Sequence, residues 1–520
     1  MSKNKMNPLD IPEIVSLIGD FLDRKDLLNC IRVSKAFHSA FVWSIWKIVI
    51  IRPPPSSNPS DKALQANKKY IEEIRFQKYS VPEEYRSLRE CNRLQFITYE
   101  GNGLSDLEPA HLFNLIKANS STITGVRLNN IRASPNLWKT LLECTNLNRL
   151  EASSISVIHD IDLLIQVCKK LQYLDLDGVC ISRLPIDFLR NEGSEYIFSS
   201  MHTLRFRNVR INSRPQPYTS SHFFGTLVRR CPGLRVLKFD ESSECHQLQQ
   251  LEHDNFYRLA FLQHPWKLTK LSDLSLPSMR IKDRDMATLL RWMTGLTQLN
   301  AAFCEFSQLS LQELLARKQE IWDNGRMIQE TRLHRLCETI ETLIFGQACV
   351  VEMSGLVQTV LSNCPRLKIL RGSKITVTEI VNGAEWVSTG LTDLVLDLEA
   401  DIDQETEEGM AKARIAFRQL GRLTRLHYLN LTGWSPMNRG VRTLDLKLRA
   451  GLDELAKLKN LYMLAFKKDD RQQIQLEDAA WMVNNWPEIK YLNGRVKGPM
   501  DENSLAYDFL KSRKISVLVK

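Results

Sequence analysis

The stretch Leu171-Gln172-Tyr173-Leu174-Asp175-Leu176 decides the fold, because it sets apolar residues in the order apolar-x-x-apolar-x-apolar. Leu234-Arg235-Val236-Leu237-Lys238-Phe239 has the same order. Alternate side chains of a β-strand point to opposite faces, so the apolar residues would enter a core while the residues between them face solvent. Each copy therefore predicts one short strand with one buried side.

The pattern recurs along most of the chain, at a mean spacing of about 30 residues. The middle apolar residue marks fifteen copies: Ile74, Ile97, Val126, Leu150, Leu174, Leu204, Leu237, Leu274, Leu299, Leu343, Leu370, Leu394, Leu429, Leu464 and Leu492. This array resembles leucine-rich repeats, in which each unit supplies one strand and one helix. The resemblance implies an α/β solenoid with parallel strands on a concave side and helices outside. The intervals 237–274 and 299–343 are long, so each holds an insertion or a degenerate copy.

Cysteines support the same register. Six of them stand three residues before the first apolar residue of a copy: Cys91, Cys144, Cys168, Cys231, Cys337 and Cys364. In other copies Met293, Leu458 and Trp486 fill this position. Cysteine is easily buried, so the position calls for apolar volume and the thiols are predicted to be structural.

The first fifty residues follow a helical pattern instead. Ile14, Leu17, Ile18, Phe21 and Leu22 are spaced as on one face of a helix. Two more short helices are predicted, one capped by Asp26 and one beginning at Ser34. Three such helices are too small to bury their own apolar faces, so a partner surface is the natural remedy.

The order Ile11-Pro12-Glu13-Ile14, Leu17-Ile18, Phe21-Leu22, Asp26-Leu27-Leu28, Val33-Ser34-Lys35, Phe37 and Trp46 resembles an F-box. This resemblance implies docking on a Skp-type adaptor, which carries cullin and RING subunits in an SCF-type ubiquitin ligase. It assigns the adaptor contact to Ile11, Pro12, Ile14, Ile18, Leu22, Leu27, Leu28 and Val33. Cys-Pro pairs at Cys231 and Cys364 are similar to those in F-box/leucine-rich-repeat proteins. The alternative is that the helices only cap the array, and one segment can do both.

Arg52 to Ser60 holds four prolines and three serines, a composition that favours extended chain. We therefore predict an F-box domain at 1–50, a Pro/Ser-rich linker at 51–69 and an array of about fifteen irregular repeats at 70–520.

Composition limits the protein class. The 520 residues are 43% hydrophobic and 25% charged, as in an ordinary globular protein. A net charge of +10 is spread along the chain, so nucleic acid is an unlikely partner. No apolar stretch is long enough to span a membrane, and the start does not resemble a secretory signal. Eleven cysteines without CxxC pairs favour an intracellular protein, cytoplasmic or nuclear and not secreted.

Catalytic patterns are missing. The sequence has no P-loop, GxGxxG, GxSxG or HExxH motif. Cys245, His246, His253 and His264 match no standard zinc spacing. We expect a non-catalytic protein without cofactor or metal. The acidic run 399–408 is predicted to be a solvated loop leading into a helix, with a docking patch for a basic partner as the alternative.

Solvent-facing strand positions are the expected partner surface of such an array. The candidate substrate-facing residues are Arg127, Arg149, Tyr173, Asp175, Arg205, Arg207 and Lys238. Their arginines could hold an acidic or phosphorylated segment through bidentate hydrogen bonds, or the surface could simply be mixed and soluble. The sequence thus favours the substrate-recognition subunit of an SCF-type ligase. The alternatives are a repeat scaffold or inhibitor outside any ligase and, last, a nucleic-acid-binding solenoid.

Overall fold

The computed structural model describes residues 11–53, 58–77, 88, 91–101, 110–131, 134–157, 160–181, 188, 196–211, 220–240, 269–277, 279, 281–317, 322–323, 326–327, 334–346, 354–433, 442–466, 474–494, 496 and 504–518. The chain forms two compact units, Met1–Gly233 (unit 1) and Leu234–Lys520 (unit 2). In both, parallel strands alternate with helices, as parallel neighbours require because the chain must cross over between them.

The elements of unit 1 follow in chain order. The helices are α1 (Pro12–Phe21), α2 (Arg24–Cys30), α3 (Lys35–Lys47), α4 (Asp61–Asn67), α5 (Ala110–Ala118), α6 (Pro135–Glu143), α7 (Ile161–Cys168) and α8 (Ser220–Arg229). The strands are β1 (Ile48–Ile51), β2 (Glu73–Gln77), β3 (Phe96–Glu100), β4 (Gly125–Asn129), β5 (Arg149–Ser153), β6 (Ser156–Val157), β7 (Tyr173–Asp177), β8 (Cys180–Ile181), β9 (Thr203–Arg207) and β10 (Arg210–Ile211).

Unit 2 continues the pattern. Its helices are α9 (Asp283–Arg291), α10 (Gln308–Leu315), α11 (Leu336–Thr339), α12 (Leu356–Asn363), α13 (Val377–Asn382), α14 (Glu407–Gly421), α15 (Leu476–Asn485) and α16 (Leu505–Ser512). Its strands are β11 (Val236–Asp240), β12 (Asp273–Ser275), β13 (Gln298–Asn300), β14 (Trp322–Asp323), β15 (Arg326–Met327), β16 (Thr342–Ile344), β17 (Ile369–Thr376), β18 (Asp393–Glu399), β19 (Tyr428–Asn430), β20 (Met463–Ala465), β21 (Tyr491–Asn493) and β22 (Ser516–Leu518).

The main ladder of unit 1 runs β1-β2-β3-β4-β5-β7-β9, all parallel. That of unit 2 runs β11-β12-β13-β16-β17-β18-β19-β20-β21-β22, also parallel. Every one of the fifteen marker residues lies in a strand of these ladders and is at most 1% exposed. Within each unit the markers of neighbouring strands pair directly, as Leu150 does with Leu174. The predicted leucine-rich-repeat fold and its strand register are confirmed.

The two long intervals are insertions. Leu237 pairs directly with Leu274, and Leu299 pairs directly with Leu343, so no further strand of the sheet lies between them. The second interval contains α10 and an antiparallel hairpin formed by β14 and β15.

The sequence pattern missed the strands β1 and β22. β1 continues directly from α3 and pairs with β2, so the ladder begins before the proline-rich segment. Ile51 is fully buried, and α4 lies within the predicted linker with Leu64 buried. The domain boundaries at 50 and 69 stay predictions, because strand pairing alone does not test where a domain folds by itself.

The cysteine position is buried as predicted. The six cysteines are at most 5% exposed, and Met293, Leu458 and Trp486 are equally enclosed. Burial raises the pKa of the Cys91 and Cys144 thiols to about 11 and that of Cys168 to about 12. These thiols therefore stay protonated and act as apolar core residues.

The N-terminal helices form a small core of their own. It consists of Val15, Leu27, Phe41 and Ile45, with α1 and α2 both packed on α3. The N-cap of α2 is Asp23, whose carboxylate accepts from the Asp26 backbone N–H at 2.8 Å, so the prediction of Asp26 as the cap was wrong. Ser34 caps α3 by accepting from the Phe37 N–H at 3.1 Å.

None of the described helices combines the length and the apolar composition that crossing a bilayer requires.

Candidate functional site

Helices α1 and α2 and the turn after α2 leave large apolar side chains in solvent. Leu17 is 60% exposed, Phe21 88%, Leu28 39% and Val33 69%. Of the twelve large hydrophobic residues that are exposed in the described chain, these four fall between positions 17 and 33. We call them the N-terminal apolar surface. Exposed apolar residues concentrated in this way mark protein contact sites.

The predicted adaptor residues differ in how far they are exposed. Leu27 belongs to the helical core, while Ile18 and Leu22 are half-buried against it. Leu28 and Val33 are exposed. Ile11 and Ile14 are half-buried near the start of α1. Pro12 is in the first turn of α1, and its side chain lies outside the described residues.

Leu17 and Phe21 are contact candidates that the sequence prediction omitted. The signal was present in α1, where Ile14, Val15, Leu17, Ile18 and Phe21 are all apolar. These apolar residues cover more of the helix circumference than the face with which one helix packs on a core. Some of them must therefore face away from the core.

A second candidate surface lies on the solvent-facing side of β3 to β9 in unit 1. We call it the arginine face, formed by Arg127, Arg149, Arg205 and Arg207 with the rings of Phe96 and Tyr173. Six of the predicted substrate-facing residues, all but Lys238, lie on these strands. Register places Arg127, Glu151, Asp175 and Arg205 side by side on consecutive strands.

Carboxylates hold these arginines in place. Glu151 accepts from Arg149 Nε at 2.7 Å and also pairs with Arg127. Burial alone would raise the pKa of Glu151, but hydrogen bonds from Arg127 and Arg149 outweigh it and bring the pKa below its usual 4.5. Glu151 is therefore ionised at neutral pH and orients both guanidinium groups.

Asp175 has an equivalent role on the next strand, β7. It accepts from the Tyr173 hydroxyl at 3.2 Å and lies 3.6 Å from Arg207 Nη2. Arg207 also reaches Asp177 at 3.5 Å. Each of Arg127, Arg149 and Arg207 thus has an acidic neighbour in its own or an adjacent repeat.

Aromatic rings lie between the arginines. The Arg149 guanidinium is 4.3 Å from the Tyr173 ring centroid, and that of Arg205 is 5.5 Å from the same ring. Arg127 and Arg149 both lie 5.8 Å from the Phe96 ring. A Cβ at position 125 would come within 2.3 Å of this ring, so Gly125 is what lets Phe96 lie flat across β4.

Lys238 belongs to unit 2, where its Nζ lies 2.7 Å from Asp273 on the neighbouring strand.

The acidic run 399–408 contacts the chain's own basic residues. Arg442 Nη2 lies 3.4 Å from Glu405, and Arg449 Nη2 lies 3.6 Å from it. Asp401 accepts from the Thr378 N–H at 3.0 Å. The run is thus partly paired within unit 2, while the side chains of Asp403 and Glu405 are 65% and 62% exposed, so the docking patch for a basic partner stays an alternative prediction.

The described residues offer no metal site. Among them, no group of three or more His, Cys, Asp or Glu side chains is placed to hold a metal ion. Cys245, His246, His253 and His264 lie outside the described residues.

No family model and no curated protein matches this chain. Solved structures do. The chain is similar to a leucine-rich-repeat protein of Leptospira interrogans, at 14% identity over 87% of this chain and 90% of that one, with a TM-score of 0.41. It is similar to an internalin of Listeria monocytogenes at 13% identity, covering 88% of each chain, with a TM-score of 0.34. A third match is to the yeast Rad7 and Elc1 complex, at 10% identity over 95% and 92%, with a TM-score of 0.34. With TM-scores this low, the assignment of a leucine-rich-repeat fold rests on the strand ladders themselves.

Proposed function

We propose that this protein is a substrate-recognition subunit of an SCF-type ubiquitin ligase. In this proposal the N-terminal apolar surface docks on a Skp-type adaptor, which brings the cullin and RING subunits, and the repeat array holds the protein to be ubiquitinated. The chain would bind and orient, and the transfer chemistry would belong to the other subunits.

The N-terminal apolar surface carries the proposal. Phe21 is 88% exposed although it lies on a helix that contributes Val15 to a core. Burying such a side chain against a partner would contribute about 1.5 to 3 kcal/mol. The core of Val15, Leu27, Phe41 and Ile45 does not include these four residues, which leaves them accessible to a partner.

The test is co-expression of the full chain with the host's Skp-type adaptor, followed by size-exclusion chromatography. Phe21→Asp with Leu17→Asp should abolish co-elution, because a buried carboxylate is strongly disfavoured in an apolar interface. Leu505→Asp is the matched control, since Leu505 is also an exposed helical leucine, at 70%, but far along the chain. Co-elution that survives the double change would refute the N-terminal apolar surface as the docking site.

Point variants are preferable to truncation at Asp61. Such a truncation removes β1 together with the helices, leaving the β2 edge without its strand partner. Exposed strand edges promote association of unrelated chains, so a negative result would be ambiguous.

A second candidate function is a repeat scaffold that binds proteins outside any ligase, with the helices as a cap. The observation favouring it is the continuity of α3 with β1, reinforced by the Glu72 N–H donating to the Lys47 carbonyl at 2.9 Å. A folded full chain that never co-elutes with the adaptor would favour this function.

A further inference from the structure

The arginine face has two layers of opposite charge. The side chains of Glu151 and Asp175 are 12% and 10% exposed, whereas those of Arg127, Arg149 and Arg207 are 43 to 49% exposed. The carboxylates lie beneath and the guanidinium groups lie above them. A ligand approaching these strands therefore meets cationic groups first, although the total charge of the patch is nearly balanced.

The guanidinium groups of Arg127 and Arg149 are also held in fixed planes, because both donate to Glu151. Arg149 is fixed by its hydrogen bond to Glu151 and by stacking on Tyr173 at 4.3 Å. A planar guanidinium held in this way loses little rotamer freedom when it binds a carboxylate or phosphate with two parallel hydrogen bonds.

Hydrogen bonding on this face is incomplete. Arg205 Nε is buried and has no hydrogen-bond partner among the described residues, and Asp175 Oδ1 is buried with only the ion pair to Arg207 at 3.6 Å. Register places these two residues on adjacent strands. A buried polar atom left without a partner is destabilising, and native structures retain such atoms where they serve a purpose.

Unit 2 differs at the equivalent strand positions. Lys238 follows the marker of β11, but from β12 to β21 the residue after each marker is mostly neutral, with Val395 and Ala465 buried. These residues are Ser275, Asn300, Ile344, Arg371, Val395, Asn430, Ala465 and Asn493. Of these eight residues only Arg371 is charged. The alternation of guanidinium groups and rings belongs to unit 1.

We propose that the arginine face binds an anionic segment of a partner protein in extended conformation, through carboxylate or phosphate groups. Arg127, Arg149, Arg205 and Arg207 would bind the anionic groups, and Phe96 and Tyr173 would contact the segment between them. The inference rests on the proposed function in one respect: the protein that carries the anionic segment is taken to be the one that the ligase ubiquitinates.

A peptide fits this surface better than a nucleic acid does. The carboxylates of Glu151 and Asp175 lie beneath the guanidinium groups and nearly balance their charge, so the face has too little excess positive charge to neutralise a strand with one phosphate per nucleotide. Single-stranded nucleic acid binding relies on a continuous cationic groove that follows the backbone, whereas a peptide segment with a few anionic groups can use separate guanidinium groups.

The test measures fluorescence anisotropy of short labelled peptides with the full-length protein. One peptide alternates aspartate with serine, a second has phosphoserine at the serines, and a third has lysine in place of aspartate. The first, the second or both should bind, and the lysine peptide should not. Binding of the phosphorylated peptide alone identifies phosphate as the source of the charge, whereas binding of both shows that carboxylates suffice.

Two variants locate the site. Arg205→Gln with Arg207→Gln should weaken binding roughly tenfold or more, because charge-assisted hydrogen bonds are lost. Arg149→Lys keeps the charge but loses the planar stacking on Tyr173, so about a threefold loss is expected. Arg93→Gln is the control, since Arg93 is 55% exposed and pairs with Glu72 in the turn before β3, away from the face.

Four results would overturn the inference: no binding of either anionic peptide, unchanged affinity in the double variant, an equal loss in the Arg93 control, or tighter binding of a single-stranded oligonucleotide than of either peptide. Circular dichroism and adaptor co-elution are recorded for every variant. Intact co-elution without peptide binding would reject the anionic segment alone, and peptide binding without co-elution would reject the ligase role alone.

Discussion

At the scale of single residues, Glu151 organises the arginine face, because it fixes both Arg127 and Arg149. Its pKa is lower in the folded protein than in the unfolded chain. A lowered pKa contributes stability that is complete above the unfolded value and is lost as pH falls through the folded value. The stabilising effect of Glu151 should therefore disappear only in acid.

Glu151→Gln tests this expectation. At neutral pH the free energy of unfolding of the variant should be about 1 to 2 kcal/mol lower than that of the natural protein, because two charge-assisted hydrogen bonds are weakened. As pH falls below the usual glutamate value of 4.5, the difference from the natural protein should shrink towards zero. Urea unfolding at several pH values measures it. A difference that stays constant into acid would show that Glu151 acts by packing and not by charge.

Lys170 illustrates a different use of a charged residue. Its ammonium group donates to the backbone carbonyls of Leu141, Leu142 and Cys144 at 2.8, 2.9 and 2.7 Å, closing the end of α6. Lys170→Met would leave these three acceptors without that donor and should cost about 2 to 3 kcal/mol. The urea midpoint, followed by intrinsic tryptophan fluorescence, measures the loss. Lys139→Met on the exposed side of α6 is the control and should change little.

At the scale of elements, carboxylates of one repeat cap the helices of another. Helix α10 has no capping side chain of its own, and Asp283 accepts instead from the N–H groups of Ser307, Leu309 and Ser310 at 2.8, 2.9 and 3.1 Å. Glu379 serves α12 in the same way, accepting from Gly355 N–H at 2.6 Å. Such bonds tie neighbouring repeats together and fix where each helix begins.

Asp283→Ala should therefore loosen α10 more than α9. Loss of a side-chain cap costs about 1 to 2 kcal/mol, and the effect should appear as faster amide hydrogen exchange in 307–315. Asp285→Ala is the matched control, because it removes the same charge from the first turn of α9 and leaves the Asp283 cap in place. Equal exchange in both variants would show that the cap contributes nothing to the helix start.

Elements of this fold differ in how far the sequence predicts them. The alternation around each marker leucine located its strand, since only one register buries the whole apolar set. β1 was missed because Ile48 to Ile51 is a continuous apolar run, which reads equally well as the end of α3. The helical spacing identified α1 and α2, but it could not separate buried Leu27 from exposed Leu28, because apolar character does not say which face packs inward.

At the scale of the whole molecule, the candidate sites depend on contacts between repeats. Arg127 and Glu151 are 24 residues apart and meet only because β4 and β5 are paired in register. The sequence predicted that these arginines face solvent, but not that carboxylates would lie beneath them. That arrangement follows from the register of neighbouring strands, which a single repeat does not contain.

A repeat array also predicts how far the destabilising effect of a core substitution extends along the ladder. Each strand contacts only its neighbours, so stability is a sum of repeat and nearest-neighbour terms. Leu150→Ala in unit 1 and Leu394→Ala in unit 2 both remove a fully buried side chain, at a cost of about 3 kcal/mol each. Hydrogen exchange should rise most in the altered strand and its two partners, β4 and β7 for Leu150 and β17 and β19 for Leu394, and should fall off along the ladder. Leu505→Ala, at an exposed position, should leave exchange unchanged. A uniform rise in hydrogen exchange across every strand of a unit would contradict this prediction. It would show that the unit unfolds in one cooperative step, so that the effect of a substitution is not confined to neighbouring strands.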